Sequence, residues 1–148
     1  MNGARAFFDS NVLIYAFDSE AGQRGERART LLGMAARTGA GVLSYQVFQE
    51  LISVMQKKYR VKPSTAEMKQ ILAKTRKDFL VVESSGELLA SALDFRERFN
   101  FSWYDSLIVA AARQTECEVL VSEDMHDGLD IDGMRIINPF KTPEAGLN

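Results

Sequence analysis

Short apolar runs alternate along the chain with longer stretches in which apolar positions recur every three or four residues. The runs Ala6 to Phe8, Gly41 to Leu43, Phe79 to Val82, Val119 to Val121 and Met134 to Ile137 predict strands. Between them, residues around 23 to 38, 45 to 59, 64 to 77, 85 to 99 and 103 to 115 carry helical spacing. Val47, Leu51, Val54 and Met55 form one apolar stripe, and Ser84 and Glu87 have the spacing of a capping box at the fourth of these helices. Such alternation predicts an α/β fold in which a parallel sheet lies between helices. Residues 1–140 read as a single domain, and 141–148, with Pro143 and Gly146, as a loosely structured tail.

At 148 residues the chain can bury a core without cross-links. Its one cysteine, Cys117, has no partner for an internal disulfide, and no Cys or His cluster has zinc-ligand spacing. Apolar runs such as Leu107 to Ala112 are far too short to span a bilayer, and Asp9 interrupts the first apolar stretch before it resembles a signal peptide. These features predict a cytoplasmic protein without a membrane partner. The formal net charge of −2 and pI of about 5.5 lack the basic signature of a nucleic-acid binder. A site that gathers carboxylates lowers the total, however, while a basic rim can still meet phosphates locally.

In open α/β sheets, strand C-termini and helix N-termini meet along one edge, where ligands bind. Asp9 directly follows the first strand, and Asp124 stands in the matching place after Val119 to Val121. Glu50 lies in the first two turns of the helix after the second strand, at the border of its apolar stripe, and Asp105 lies in the first turn of the last helix. Each has an ordinary structural explanation. Asp9 can cap the next helix, Asp105 can complete a Ser102-x-x-Asp105 cap, Asp124 can serve a turn, and Glu50 can be a surface glutamate. Together, four carboxylates on one edge repel one another, and a divalent cation resolves the repulsion. All-oxygen ligands suit Mg²⁺ or Mn²⁺, and such ions support phosphodiester hydrolysis.

Four segments, Phe7 to Tyr15, Ser44 to Leu51, Trp103 to Ala112 and Leu120 to Met125, resemble in order those of the PIN-domain nucleases, and within them the VapC-like toxins. The resemblance covers nearly the whole chain. It implies a three-layer α/β/α fold with a five-stranded parallel sheet and a Mg²⁺- or Mn²⁺-dependent endoribonuclease acting on RNA. It also implies a homodimer neutralised by an antitoxin. Carried over, Asp9, Asp105 and Asp124 are the principal metal-site acids, and Glu50 is a ligand, water-orienting group or general base. Asn11 positions Asp9, Ser122 supports the last acid, and Asp127 is a peripheral ligand; Glu123, Asp124 and Asp127 all compete for the fourth position.

Other residues are read more plainly. His126 is a solvent-facing loop histidine, and Trp103 is core. Lys57, Lys58, Arg60 and Lys62, like Lys74, Arg76 and Lys77, follow helix C-termini, which favour cations and lie away from the acidic edge. A phosphatase of the haloacid-dehalogenase type needs a second aspartate where Asn11 stands, and a receiver-like domain needs an acid pair and a late lysine that are missing. A housekeeping RNA-processing nuclease of the same fold and a catalytically silent binding module are the remaining alternatives.

Overall fold

The computed structural model describes residues 4–141. Strands β1 (Ala6–Phe8), β2 (Gly41–Ser44), β3 (Leu80–Val82), β4 (Val119–Val121), β5 (Asp130–Ile131) and β6 (Met134–Ile137) form one sheet, in the order β3-β2-β1-β4-β6-β5. Helices α1 (Ser10–Phe17) and α2 (Gly22–Thr38) join β1 to β2, and α3 (Tyr45–Lys57) and α4 (Thr65–Asp78) join β2 to β3. Helices α5 (Gly86–Phe99) and α6 (Trp103–Gln114) lead from β3 back to β4. All pairings are parallel except β5 with β6.

The sheet grows from β1 outward through β2 and β3, and then returns to the other side of β1 with β4. This reversal makes the C-terminal ends of β1 and β4 a topological switch point, where a crevice opens between diverging connections. Right-handed crossovers place helices on opposite faces of the sheet for the two directions of growth. Consistent with this, α1 packs on α2 and α3, while α5 packs on α6. The central strands are therefore apolar on both sides, and Ala6, Phe7, Val42, Leu43, Leu120 and Val121 are fully buried. Gly41 begins β2 beneath the Phe79 ring, where a Cβ would stand 2.3 Å from ring carbons.

The expected α/β architecture is present, with three differences. The sixth strand, β5, is a two-residue antiparallel partner of β6. Its turn, Asp132-Gly133, has positive φ at both residues, 52° and 93°, as a two-residue hairpin turn demands. That Asp-Gly pair was a signal in the sequence. Helix α1 was not among the expected helices; its run Val12 to Phe17 is apolar throughout and so lacks a periodic stripe. The capping box lies at Ser64 and Glu67, whose side chains and backbone amides bond reciprocally, and not at Ser84 and Glu87. In α5 the extended residue before the helix is Ser85, which accepts from the Leu88 amide, so the residue at the return position is apolar.

Two expectations concern the chain as a whole. No helix among the described residues is long and apolar enough to cross a membrane. Residues 142–148 of the expected tail lie outside the described residues.

Candidate functional site

Asp9 directly follows β1 and is the N-cap of α1, so the expected capping role is present and the candidate site role falls on the same side chain. Its Oδ1 accepts from the Ser10 amide at 2.7 Å and its Oδ2 from the Ser122 hydroxyl at 2.8 Å. Only 5% of the residue is exposed. Burial pushes its carboxyl up to about 6, against the two hydrogen bonds, and the negative fields of Glu50 and Asp105 add to the rise.

Ser122 directly follows β4 and is fully buried. Its hydroxyl donates to Asp9 and accepts from Asn11 Nδ2 at 3.4 Å and from the Asp124 amide at 3.3 Å. One donor and two acceptor positions are all that a hydroxyl has, and all are used. Asn11, on the first turn of α1, donates to Asp124 Oδ2 at 3.1 Å and accepts from the Glu123 amide at 3.2 Å. Asn11 thus holds the segment after β4 and reaches Asp9 through Ser122, where sequence reasoning had it positioning Asp9 itself.

Glu50 is half-buried on α3, and its Oε1 accepts from Gln46 Nε2 at 3.3 Å. Asp105 is half-buried in the first turn of α6, whose N-cap Ser102 accepts from the Asp105 amide at 3.1 Å. Burial raises the pKa of both. Hydrogen bonds from Gln46 and Ser10 oppose this at Glu50, and Ser102 opposes it at Asp105. Repulsion from Asp105 and Asp124 raises Glu50 further, and Asp124 raises Asp105. The edge therefore carries four acids in each other's fields: Asp9, Glu50, Asp105 and the exposed Asp124.

The neighbouring acids are engaged elsewhere. Glu123 accepts from the Tyr15 hydroxyl at 2.7 Å and from Arg24 Nε at 2.9 Å, and Arg24 lies over the Tyr15 and Phe140 rings. Asp127 accepts from the Asn138 amide at 2.8 Å and fastens the turn to the end of β6. By contrast, none of Asp9, Glu50, Asp105 and Asp124 forms an ion pair among the described residues, although Glu20, Asp78, Glu83, Glu123 and Asp132 all do.

Among the described residues, no three His, Cys, Asp or Glu side chains stand close enough to enclose an ion as placed. This spacing still fits Mg²⁺ or Mn²⁺, because Mg²⁺ keeps several waters and takes only one or two protein carboxylates directly. The donor chemistry is all oxygen, and the charge has no cationic partner among the described residues.

Sequence reasoning missed Gln46, which donates both to Glu50 and to the Tyr104 carbonyl, at 3.2 Å, and so ties α3 to α6. Its spacing of four residues before Glu50 on a helix was the available signal. It also drew nothing from Ser44, at the end of β2, whose buried hydroxyl has no partner among the described residues. Tyr15 and Arg24, which turn Glu123 away, left no local signal.

Comparison with known proteins extends these observations. No curated protein matches the chain significantly. A toxin–antitoxin complex from Klebsiella pneumoniae superposes with a TM-score of 0.65 at 21% identity, covering 90% of this chain and 97% of the other. VapC20 of Mycobacterium tuberculosis, a sarcin–ricin loop cleaving toxin, gives 0.62 at 15% identity, covering 78% and 86%. VapBC2 from Rickettsia felis, bound to a promoter DNA fragment, gives 0.63 at 15% identity, covering 88% and 96%. These likenesses establish a shared fold. Residues 6–126 match the family model described as PIN domain, and the chain belongs to the PIN domain family.

Proposed function

We propose that the protein is a Mg²⁺- or Mn²⁺-dependent endoribonuclease and the toxin of a toxin–antitoxin pair. The observation that carries this reading is the set of four acids along one sheet edge, in each other's fields and without an ion-pair partner among the described residues. Family membership supports nuclease chemistry. The toxin assignment and the antitoxin partner are supported by structural neighbours described as toxins and toxin–antitoxin complexes.

In this reading Asp9 and Asp105 would hold the ion, and Glu50 and Asp124 would complete the site as further ligands or water-orienting groups. A bound divalent ion acidifies and orients a water for attack on phosphorus and neutralises charge on the phosphoryl oxygens. The chain's own part is to hold the carboxylates in place. Ser122 and the Ser10 amide fix both oxygens of Asp9, Asn11 fixes Asp124, and Gln46 orients Glu50. Glu50, with a raised pKa in a half-buried position, is suited to take a proton from the attacking water. Asp127, held by Asn138, is at most peripheral.

Purified protein incubated with a mixed RNA pool is expected to cut in Mn²⁺ and not in EDTA. Asp9→Asn and Asp105→Asn should each lower cleavage by at least about a hundredfold while the fold is retained; loss of a transition-state charge stabiliser is typically worth this much. Undiminished cleavage by either variant would remove the metal assignment. A wild-type protein inert with every divalent cation would point to a silent binding module.

A further inference from the structure

A groove of about 450 Å³ runs from the acidic edge along α3, with Glu50 at its head and Lys57 and Lys58 at its foot. Gln46, Glu50, Ser53 and Lys57 line it at spacings of four, three and four residues. At about 100° per residue these positions fall within roughly 60° of one helix face, which makes a continuous polar stripe. The opposite wall is Tyr104, a tyrosine 64% exposed and adjacent in sequence to Asp105. Gln46 bridges the walls through its bonds to Glu50 and the Tyr104 carbonyl. Lys57 and Lys58 are exposed and have no carboxylate partner among the described residues.

We propose that this groove holds the segment of a single-stranded RNA next to the scissile phosphate, with a base stacked on Tyr104 and flanking phosphates bound by Lys57 and Lys58. The inference rests on the nuclease reading of the acidic edge. From Glu50 to Lys57 the helix rises about 10 Å, roughly three nucleotides of a stacked strand. The lysines are therefore too far away to hold the reacting phosphate, as their place at the helix end implied, yet well placed for its neighbours. An aromatic platform followed by unpaired cations is the arrangement by which proteins hold single strands without reading sequence. Tyr104 stands beside Asp105, so a stacked base fixes the position of its own phosphate at the acidic edge.

The test measures binding of a fluorescently labelled, unstructured RNA of about twelve nucleotides, a typical single-strand site size. Binding is read by anisotropy in Mg²⁺ over a range of salt, using Asp105→Asn protein. In that background, Lys57→Ala/Lys58→Ala should weaken binding about tenfold or more and flatten the salt slope by about 1.4, that of two lost single-strand phosphate contacts. Tyr104→Ala should weaken it about tenfold with the slope unchanged. Lys69→Ala/Lys77→Ala on α4, with the same change in charge, should stay within about twofold of the background, as expected where no phosphate is contacted. Several results would overturn the proposal: no binding by the background protein, equal binding by all variants, an equal loss in the α4 control, or equal competition by polyglutamate, which would indicate an acidic protein segment instead. Cleavage assays on the same substitutions in otherwise wild-type protein separate the two readings. Normal cleavage and binding by Lys57→Ala/Lys58→Ala defeats the groove alone, whereas absence of wild-type cleavage in Mn²⁺ defeats the nuclease reading while the binding comparison still decides the groove.

Discussion

Asp9 is buried with a negative charge to accommodate and two hydrogen bonds to help. In the unfolded chain its carboxyl titrates near the ordinary 3.8, and in the metal-free fold near 6, so between these values the folded state holds more of the proton. Metal-free stability therefore falls as pH rises through that window, by about 3 kcal/mol in total, and stays low above it. Asp9→Asn removes the charge at nearly constant shape. It should melt several degrees above wild type near pH 7.5 in EDTA, and the difference should shrink toward pH 4, as measured by thermal unfolding. Mn²⁺ should reverse the order by stabilising only the wild type. A variant with no gain at neutral pH would show that the hydrogen bonds outweigh burial. Ser122→Ala should leave Asp9 short of a donor, and Asn11 and the Asp124 amide short of an acceptor. The Mn²⁺ concentration for half-maximal cleavage is then expected to rise about tenfold or more, with activity at saturating Mn²⁺ largely kept; an unchanged Mn²⁺ demand would contradict the role of Ser122. At this scale the sequence showed Asp9 and Asp105 through their places after a strand and at a helix start. It left Glu123, Asp124 and Asp127 in competition, because what engages Glu123 and Asp127 lies outside that loop: Tyr15 and Arg24, about a hundred residues away, and Asn138 at the end of β6.

At the level of elements, the long connections were legible wherever one face of a helix is apolar and the other wet. Helix α3 shows this best, with Val47, Phe48, Leu51 and Met55 buried. Legibility failed where a helix is buried on most sides, as in α1, and where a strand is too short to show alternation, as in β5. The hairpin that β5 makes with β6 depends on positive φ at Asp132 and Gly133. Gly133→Ala should cost about 1–2 kcal/mol, the penalty of a Cβ in a left-handed conformation, and lower the melting temperature by a few degrees without altering Mn²⁺ demand. A parallel loss of Mn²⁺ affinity would mean that the hairpin also shapes the acidic edge.

For the molecule as a whole, a net charge of −2 would be no obstacle to the proposed polyanionic substrate, because Glu50 shares its groove with Lys57 and Lys58, which have no carboxylate partner among the described residues. The fold class could be read from the order of elements alone, but the position of β4 beside β1 could not, since no local pattern encodes which strands are neighbours. A homodimer is expected from the family resemblance, and light scattering at micromolar concentration should give twice the mass of one chain; a monomer mass would count against it. Co-expression with a small DNA-binding protein encoded immediately upstream should suppress RNA cleavage if the toxin reading holds.

The bonds from Ser122 to Asp9 and from Asn11 to Asp124 each close a span of 113 residues. At a synthesis rate of about 5–20 residues per second, roughly ten seconds separate the emergence of Asp9 from that of its partner on β4. For most of that interval the ribosome-bound chain carries Asp9 and Glu50, and only at its end Asp105, without the strand β4 that lies beside β1 and leads into Ser122, the donor to Asp9. On the proposed ribonuclease reading, the chain would thereby stay harmless to the machinery making it until nearly the last of its core has been translated.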